Sequence, residues 1–238
     1  MTVEKSLDDV FAEICGGETT LRERLAAFSA ALPNYDWGRP FADVYDALIA
    51  KLSASDAGSG APGVGDRLPN FILPDAEGRL VELENLLGAG PLVVSFNRGH
   101  WCQFCEIELR AFAEAHSELA QLGARVISIM PERQAYLRTA KSRTGDAVTY
   151  VADVDNGYAL QVGLAIWLGD DVSQLYRMQG LDLPRYQGNQ AWFAPIPATF
   201  VLSEDGHILS RNVDPDFRRR MDVDEIIASL PRDGKPYR

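Results

Sequence analysis

The chain has 238 residues, of which 46% are hydrophobic and 24% are charged, and its formal net charge is −11. This composition is that of a globular protein, and no apolar run approaches the roughly 20 residues that a membrane-spanning helix needs. The acidic balance argues against nucleic acid or an anionic membrane surface as a partner. The N-terminus lacks the pattern of a secretory signal, so we expect a cytoplasmic protein.

The first 53 residues have the pattern of a helical N-terminal arm. Apolar residues recur at helical spacing in "SLDDVFAEI", in "TLRERLAAFSAAL" and after Pro40, and Thr20 with Glu23 forms a capping-box signature. Residues 54–64, "ASDAGSGAPGV", predict a flexible linker, so we expect the arm to be a packing unit separate from a domain at 65–238. A short bundle buries such apolar faces poorly. We therefore expect the arm to pack on the main domain or on a second copy, forming a homodimer.

Short strands and helices alternate through residues 65–238. A hairpin is predicted for "NFILP" and "RLVEL", and buried strands for "PLVVSF", "RVISIM" and "VTYVAD". Helical patterns lie between these strands, including one from Cys102 to Leu122. The chain ends with two strands in "ATFVLSEDGHILSRNV" and a helix in "DVDEIIASL". This alternation predicts an α/β domain with helices on the faces of a sheet.

An aromatic-rich segment from Ile166 to Pro195 interrupts this order. It has no clear helix or strand pattern and is too long for an ordinary connection, so we expect a pocket wall, a lid or a contact surface. The candidate contacts are Trp167, Tyr176, Tyr186 and Trp192. The alternative for each of them is a place in the hydrophobic core.

Cys102 and Cys105 form a C-x-x-C motif where a predicted strand gives way to a helix, in "SFNRGHWCQFCEIEL". The free N–H groups and the dipole of a helix N-terminus favour a thiolate and lower the pKa of a thiol. The spacing of three residues puts both sulfurs on one side of the first turn, where a disulfide can form. The motif therefore predicts a redox-active pair that needs no cofactor.

Three further interpretations bear on this pair. Arg98 and His100 would add positive charge near the sulfurs, although a solvated loop position is the alternative for His100. A zinc site needs further ligands, and none of the remaining candidates stands at ligand spacing: Cys15, His100, His116 and His207. For Cys15, on an amphipathic helix, we expect a packed thiol, with a resolving role as the alternative.

The segment from Gly65 to Leu230 resembles the peroxiredoxin-like branch of the alkyl hydroperoxide reductase and thiol-specific antioxidant (AhpC/TSA) family, within the thioredoxin superfamily. The motifs that carry the resemblance are "GDRLPNFILPDAEGRLVEL", "SFNRGHWCQFCEIEL", "PIPATFVLSEDGHI" and "NVDPDFRRR". It implies a thioredoxin-like fold, with a central mixed β-sheet flanked by helices and an N-terminal β-hairpin extension. It also implies that Pro197 is the cis-proline that faces the redox site.

The resemblance leaves open which cysteine attacks. Against the peroxiredoxin motif P-x-x-x-T-x-x-C, Cys105 takes the peroxidatic position, Glu108 the following glutamate, and Cys102 replaces the threonine. Against the thioredoxin motif W-C-x-x-C, Trp101, Cys102 and Cys105 match, and Cys102 is the nucleophile.

The arginine that activates peroxide in peroxiredoxins has no counterpart near Pro197. Arg98, which stands where the peroxiredoxin motif has proline, and Arg211, on the following strand, are the candidate substitutes.

We therefore expect a thiol-dependent oxidoreductase that reduces hydroperoxides, with a thioredoxin-type protein or a low-molecular-weight thiol as reductant. Two alternatives remain: a thioredoxin-like protein disulfide reductase, and a non-catalytic binding or redox-sensing module.

Overall fold

The computed structural model describes residues 5–35 and 38–231, so residues 1–4, 36, 37 and 232–238 of the expected arm and domain lie outside the described residues. The N-terminal part contains three helices: α1 (Leu7–Gly16), α2 (Leu21–Ala31) and α3 (Gly38–Ala54). The predicted capping box of Thr20 and Glu23 begins α2, and Ser6 with Asp9 forms another at α1. Across the described residues, no helix is long and apolar enough to cross a membrane.

The centre of the domain is a five-stranded mixed sheet. Its strands are β3 (Leu92–Phe96), β4 (Arg125–Met130), β5 (Val148–Ala152), β8 (Ala198–Leu202) and β9 (Ile208–Val213), in the order β5-β4-β3-β8-β9. Strands β3, β4 and β5 are parallel, whereas β8 is antiparallel to both β3 and β9. The hairpin of β1 (Ile72–Pro74) and β2 (Leu80–Glu82) precedes it. The expected thioredoxin-like α/β fold with a hairpin extension is confirmed.

Helices surround this sheet. They are α4 (Leu83–Leu86), α5 (Gln103–Glu114), α6 (His116–Gln121), α7 (Gln134–Thr144), α8 (Gly157–Gln161), α9 (Gly169–Met178), α10 (Leu183–Gln187) and α11 (Val223–Ser229). The prediction of a single helix from Cys102 to Leu122 is wrong in one respect. The structure has two helices there, α5 and α6, which are divided at Ala115, where ψ is 0°. The bend keeps Leu119 in the core and leaves His116 exposed.

The segment from Ile166 to Pro195 is more regular than its sequence indicated. It contains α9 and α10, and β6 (Ala165–Trp167) pairs with β7 (Phe193–Pro195) at its two ends. Helix α9 buries Val172, Leu175 and Tyr176, which are spaced three and four residues apart. That spacing is the signal of an amphipathic helix, and the surrounding glycines and aromatics obscured it.

The arm and the domain share one hydrophobic cluster. The Phe28 ring of α2 meets Phe104 of α5 at a centroid distance of 5.1 Å, and Tyr45 of α3 meets Phe217 at 4.7 Å. These contacts cover the apolar face that the sequence left unpartnered. Turns connect α3 to the domain, and Ala61 in this connection is buried. The boundaries at residues 53 and 65 stay predictions.

Candidate redox site

The C-x-x-C motif lies at the junction of β3 and α5. Cys102 is the residue before the first turn of α5, and Cys105 lies within that turn. The Cys102 N–H donates to the Gly99 carbonyl at 3.1 Å, which closes the loop that leads into the helix. Gly99 has a φ of +142°, and a Cβ there would stand 2.6 Å from both Glu132 Oε1 and Trp101 Nε1. Only glycine fits this loop, so its sharp turn is built into the sequence.

The two sulfurs are buried and 2.8 Å apart, with the Cys105 thiol donating to Cys102 Sγ. The side chain of Arg98 approaches from the loop, and its Nη2 donates to Cys102 Sγ at 3.2 Å. The backbone N–H of Arg98 points to Cys105 Sγ at 3.5 Å. Arg220 approaches from the other side, with Nη2 at 3.7 Å from Cys105 Sγ. Two guanidinium groups therefore surround a pair of sulfurs that are close enough to join.

The environment separates the pKa values of the two thiols. Burial raises the pKa of Cys102, but the hydrogen bond from Cys105 and the positive charges of Arg98 and Arg220 outweigh burial and lower that pKa to about 5. Burial, the hydrogen bond to Cys102 and the negative charge of Cys102 raise the pKa of Cys105 well above its ordinary value. At neutral pH the pair therefore holds one negative charge, which resides on Cys102.

Arg98 is held in place by aromatic rings. Its guanidinium carbon lies 3.8 Å from the ring centroid of Phe217, 5.3 Å from that of Trp101 and 5.7 Å from that of Tyr45. Such cation–π contacts favour a buried guanidinium that has lost its water. Arg98 and Trp101 are close to the cysteines in the sequence, whereas the rings of Phe217 and Tyr45 come from distant parts of the chain.

Glu108 lies behind the cysteines in a polar pocket of the core. Its Oε2 accepts from Asn97 Nδ2 at 2.7 Å and from Ser95 Oγ at 3.3 Å, and Arg220 Nε stands 3.4 Å from the same oxygen. Burial raises the pKa of Glu108, and the charge of Arg220 opposes that rise. Glu108 therefore holds the guanidinium that faces Cys105.

Sequence reasoning named Arg98 and Arg211 as candidate arginines and missed Arg220; of the two, Arg98 lies at the cysteines. Arg211 Nη1 donates to the carbonyls of Ala61 at 2.6 Å and Pro62 at 2.7 Å, so it fixes the segment after α3 and does not substitute for a peroxide-activating arginine at the cysteines. The available signal was the run of three arginines in "NVDPDFRRR". Only the fold decides which of the three turns inward, because Arg219 is largely exposed while Arg220 is fully buried.

The expectation of a cis bond at Pro197 is wrong. Across residues 5–35 and 38–231 the peptide bonds are trans, including the one that precedes Pro197. Pro197 is buried between β7 and β8, where the chain continues from one strand into the next without the tight turn that a cis bond would serve.

A cavity of about 540 Å³ opens onto the redox pair. Cys102 lines it and Cys105 does not. The arm supplies one wall with Phe11, Phe28, Leu32, Phe41 and Tyr45, and Trp101, Phe104, Leu181 and Tyr186 supply much of the rest. The cavity therefore combines apolar and aromatic walls with charged and polar side chains, and Cys102 is the cysteine of the pair that lines it.

Of the four aromatics proposed for the pocket wall, Tyr186 lines the cavity. Tyr176 lies behind the wall, where its hydroxyl is 2.9 Å from that of Tyr45 and its ring contacts Trp101. Trp192 is buried against Arg177, and Trp167 is partly exposed beside Lys51. Trp192 therefore fits the alternative of a place in the hydrophobic core, whereas the exposed Trp167 fits neither interpretation.

Comparison with known proteins agrees with this architecture. Residues 64–211 match the model of the AhpC/TSA family. The chain belongs to the AhpC/TSA family. The expectation of a thioredoxin-superfamily enzyme with thiol oxidoreductase chemistry is thereby confirmed at the level of the family.

Individual relatives of this AhpC/TSA protein are distant. The thiol-disulfide oxidoreductase ResA of Bacillus anthracis is 23% identical over 148 residues, which cover 62% of this chain and 68% of ResA. The structure of peroxidoxin BcpB from Mycobacterium tuberculosis is similar with a TM-score of 0.54 and 21% identity, over 70% of this chain and 95% of BcpB. A cysteine-to-serine mutant of the peroxiredoxin 6 of Arenicola marina gives a TM-score of 0.56 and 15% identity, over 71% of this chain and 72% of the other. The structural likenesses support the fold.

Cys15 of this AhpC/TSA chain lies on α1, buried in the cluster that the arm shares with the domain. Burial raises its pKa to about 11, so it is a neutral thiol at physiological pH. A neutral, packed thiol is a poor nucleophile, which favours the structural interpretation over a resolving role.

We expect the thiolate of Cys102 to persist in mildly acidic solution and to depend on Arg98. In the reduced protein, thiolate absorbance in the ultraviolet should fall by one sulfur on acidification through about pH 5. Arg98→Met removes the nearest positive charge and should move that midpoint toward neutral pH. The measurement is an absorbance titration with Cys102→Ser as the blank. An unchanged midpoint in Arg98→Met would contradict this role for the guanidinium.

Proposed function

We propose that this AhpC/TSA chain reduces hydroperoxides, with Cys102 as the attacking thiolate and Cys105 as the resolving thiol. The observation that carries the proposal is the position of Cys102, which lines the cavity, is only 2% exposed and has a lowered pKa. A small hydroperoxide fits into such a cavity. Because Cys102 is almost fully buried, we expect that the disulfide of a folded protein does not reach it while the arm is in place.

The steps follow from the distances. The Cys102 thiolate attacks the outer oxygen of RO–OH, the O–O bond breaks, and Cys102 becomes a sulfenic acid while ROH leaves. Cys105 Sγ, 2.8 Å from Cys102 Sγ, then displaces the hydroxyl as water. The sulfur–sulfur distance shortens to about 2.05 Å in the disulfide. A thiol reductant, of the thioredoxin type or of low molecular weight, returns both cysteines to the thiol form.

Arg98 has the position that peroxide activation requires in this scheme. Its guanidinium carries the charge that stabilises the Cys102 thiolate, and its Nε has no hydrogen-bond partner among the described residues. A peroxide oxygen beside Cys102 is an acceptor that such a buried donor lacks. Trp101, Glu108 and Arg220 support the pair, and Cys105 is assigned as resolving because it is fully buried and its pKa is raised.

Disulfide reduction is the second candidate. The W-C-x-x-C motif, the low pKa of the first cysteine and the similarity to ResA favour it. This function requires the arm to move away so that a disulfide can reach Cys102.

The deciding experiment compares two substrates on the reduced protein. We expect rapid oxidation by tert-butyl hydroperoxide, turnover with dithiothreitol as reductant, and little reduction of insulin disulfides. The reverse preference would overturn the proposal and support the disulfide reductase. A chain that acts on neither substrate would favour the binding or sensor module.

The proposals that the protein forms a homodimer and that it is located in the cytoplasm do not depend on the proposed reduction of hydroperoxides. The apolar face that would form the dimer is buried against the same chain through Phe28, Phe41 and Tyr45. Size-exclusion chromatography with light scattering, on the full chain, measures the state directly.

A further inference from the structure

His100 and Glu132 form a pair beside the cysteines that the proposed mechanism has not used. The His100 ring nitrogen Nδ1 is 2.7 Å from Glu132 Oε1, and the His100 backbone N–H donates to Glu132 Oε2 at 2.7 Å. The Glu132 side chain has no exposed surface. A carboxylate only accepts hydrogen bonds, so this contact places the proton of the neutral imidazole on Nδ1.

The ring is also fixed by its other neighbours. It stacks on Tyr136 at a centroid distance of 4.9 Å and meets the edge of Tyr186 at 4.9 Å. Arg143 Nη1 donates to the His100 carbonyl at 2.7 Å. Contacts on several sides therefore hold the imidazole in one orientation, as positioned acid–base groups require.

The second ring nitrogen faces no protein partner. In the described parts of the chain, the hydrogen bonds of His100 involve its Nδ1, its backbone N–H and its carbonyl but not Nε2, and the side chain is partly exposed. His100 lines the same cavity as Cys102 and Arg98. An imidazole that is oriented through Nδ1, and whose Nε2 has no protein partner, can carry a proton in the cavity that Cys102 also lines.

We propose that His100 is the acid–base residue of this site, and this inference rests on the proposed reduction of hydroperoxides. Cys102 is already a thiolate at neutral pH, so Nε2 takes up its proton from solvent in the cavity. The thiolate attacks the outer oxygen of RO–OH, the S–O bond forms and the O–O bond breaks. Nε2 gives its proton to the departing RO⁻, which leaves as ROH. The sulfur loses two electrons and the peroxide gains them, so the step is balanced.

The test uses the fact that only some leaving groups need a proton. An alkoxide from tert-butyl hydroperoxide is strongly basic, whereas the acetate from peracetic acid is stable without protonation. His100→Asn keeps an N–H where Nδ1 was, for Glu132, and removes Nε2. Positioned proton transfer contributes about 10²–10⁴-fold, so we expect His100→Asn to lose about 10²-fold with tert-butyl hydroperoxide and less than about threefold with peracetic acid.

The measurement is the rate constant for the first oxidation of the reduced full chain, by rapid mixing and trapping of the remaining thiols. His207→Asn is the matched control, because His207 Nδ1 also pairs with a carboxylate, Asp205 at 3.1 Å, but lies in the turn between β8 and β9 outside the cavity. It should leave both rates unchanged. Glu132→Gln keeps the size of its partner while removing its charge, and should show a smaller loss with the same substrate dependence.

Equal slowing with both peroxides would show that His100 acts on the structure of the site alone, and would overturn the inference. Unchanged rates in His100→Asn would overturn it as well. Failure of the proposed function is separate and visible in the native protein, which would then be oxidised by neither peroxide.

Discussion

Cys102→Ser is expected to abolish peroxide consumption, by about 10³-fold or more, while Cys105→Ser retains one oxidation of Cys102 per chain. The reason is the asymmetry of the pair. Cys102 is the thiolate and lines the cavity, whereas Cys105 is a thiol with no exposed surface. Without Cys102, the remaining sulfur is neither ionised nor accessible to a peroxide.

Serine at position 105 should preserve the first step in part. Its hydroxyl replaces the thiol that donates to Cys102 Sγ, and Arg98 and Arg220 still supply positive charge. The sulfenic acid that forms at Cys102 then has no thiol at 2.8 Å with which to condense. We therefore expect a trapped sulfenic acid, stoichiometric peroxide loss and no turnover with a thiol reductant that acts only on disulfides.

The measurement combines peroxide consumption with mass spectrometry after trapping by a sulfenic-acid-specific nucleophile. Cys15→Ser is the matched control, since Cys15 is a packed thiol that the cavity does not reach, and it should retain turnover. The opposite pattern would be a sulfenic acid on Cys105 in Cys102→Ser. That result would restore the peroxiredoxin alignment, in which Cys105 attacks.

The difference between these two assignments shows what local sequence can predict. The hairpins, the buried strands and the placement of Cys102 and Cys105 at a helix start depend on residues close together in the chain, and they were predicted. The lowered pKa of Cys102 depends on the hydrogen bond from Cys105, on Arg98 and also on Arg220, which lies 115 residues from Cys105 along the chain. The sequence motif alone does not distinguish the two cysteines. In the structure the pKa of Cys102 is lowered, the pKa of Cys105 is raised, and Cys102 lines the cavity.

The same reasoning applies to the cavity walls. The apolar faces of the arm were visible in the sequence, but their partner was not, because Phe28 meets Phe104 only after the sheet and α5 have formed. Arg211 and Arg220 lie on segments that sequence pattern does not distinguish. Strand register turns Arg211 toward Ala61, and the ion pair with Glu108 turns Arg220 toward Cys105.

Arg220→Met is expected to cause the largest loss of stability among single substitutions at the site, about 3–5 kcal/mol in the free energy of unfolding. The side chains of Arg220 and Glu108 are 0% and 1% exposed, with Arg220 Nε 3.4 Å from Glu108 Oε2. Methionine fills similar volume but leaves the carboxylate buried without its countercharge. Asn97, Ser95 and Thr199 still donate to Glu108, which limits the loss but does not replace the charge.

The loss should also depend on pH in a defined direction. The pKa of Glu108 is already raised by burial, and Arg220 opposes that rise, so removal of Arg220 raises it further. A carboxyl whose folded pKa lies above its unfolded value binds more protons when folded, so stability falls as pH rises through that interval. The difference between Arg220→Met and the native protein should therefore be small in acid and widen as pH rises above the folded pKa of Glu108 in the native protein, which is itself raised above the ordinary value of 4.5.

Urea unfolding at several pH values measures both effects on the reduced full chain. Arg219→Met is the matched control in the same arginine run, because its side chain is 72% exposed and its nearest carboxylate oxygen, on Asp214, is 3.5 Å away. Exposed pairs contribute little, so we expect a change below about 1 kcal/mol. A loss in Arg220→Met that does not vary with pH would mean that packing, and not the charge on Glu108, determines the stability at this position. In that case Glu108→Gln combined with Arg220→Met would recover no stability, whereas the charge argument requires that the double substitution be more stable than Arg220→Met alone.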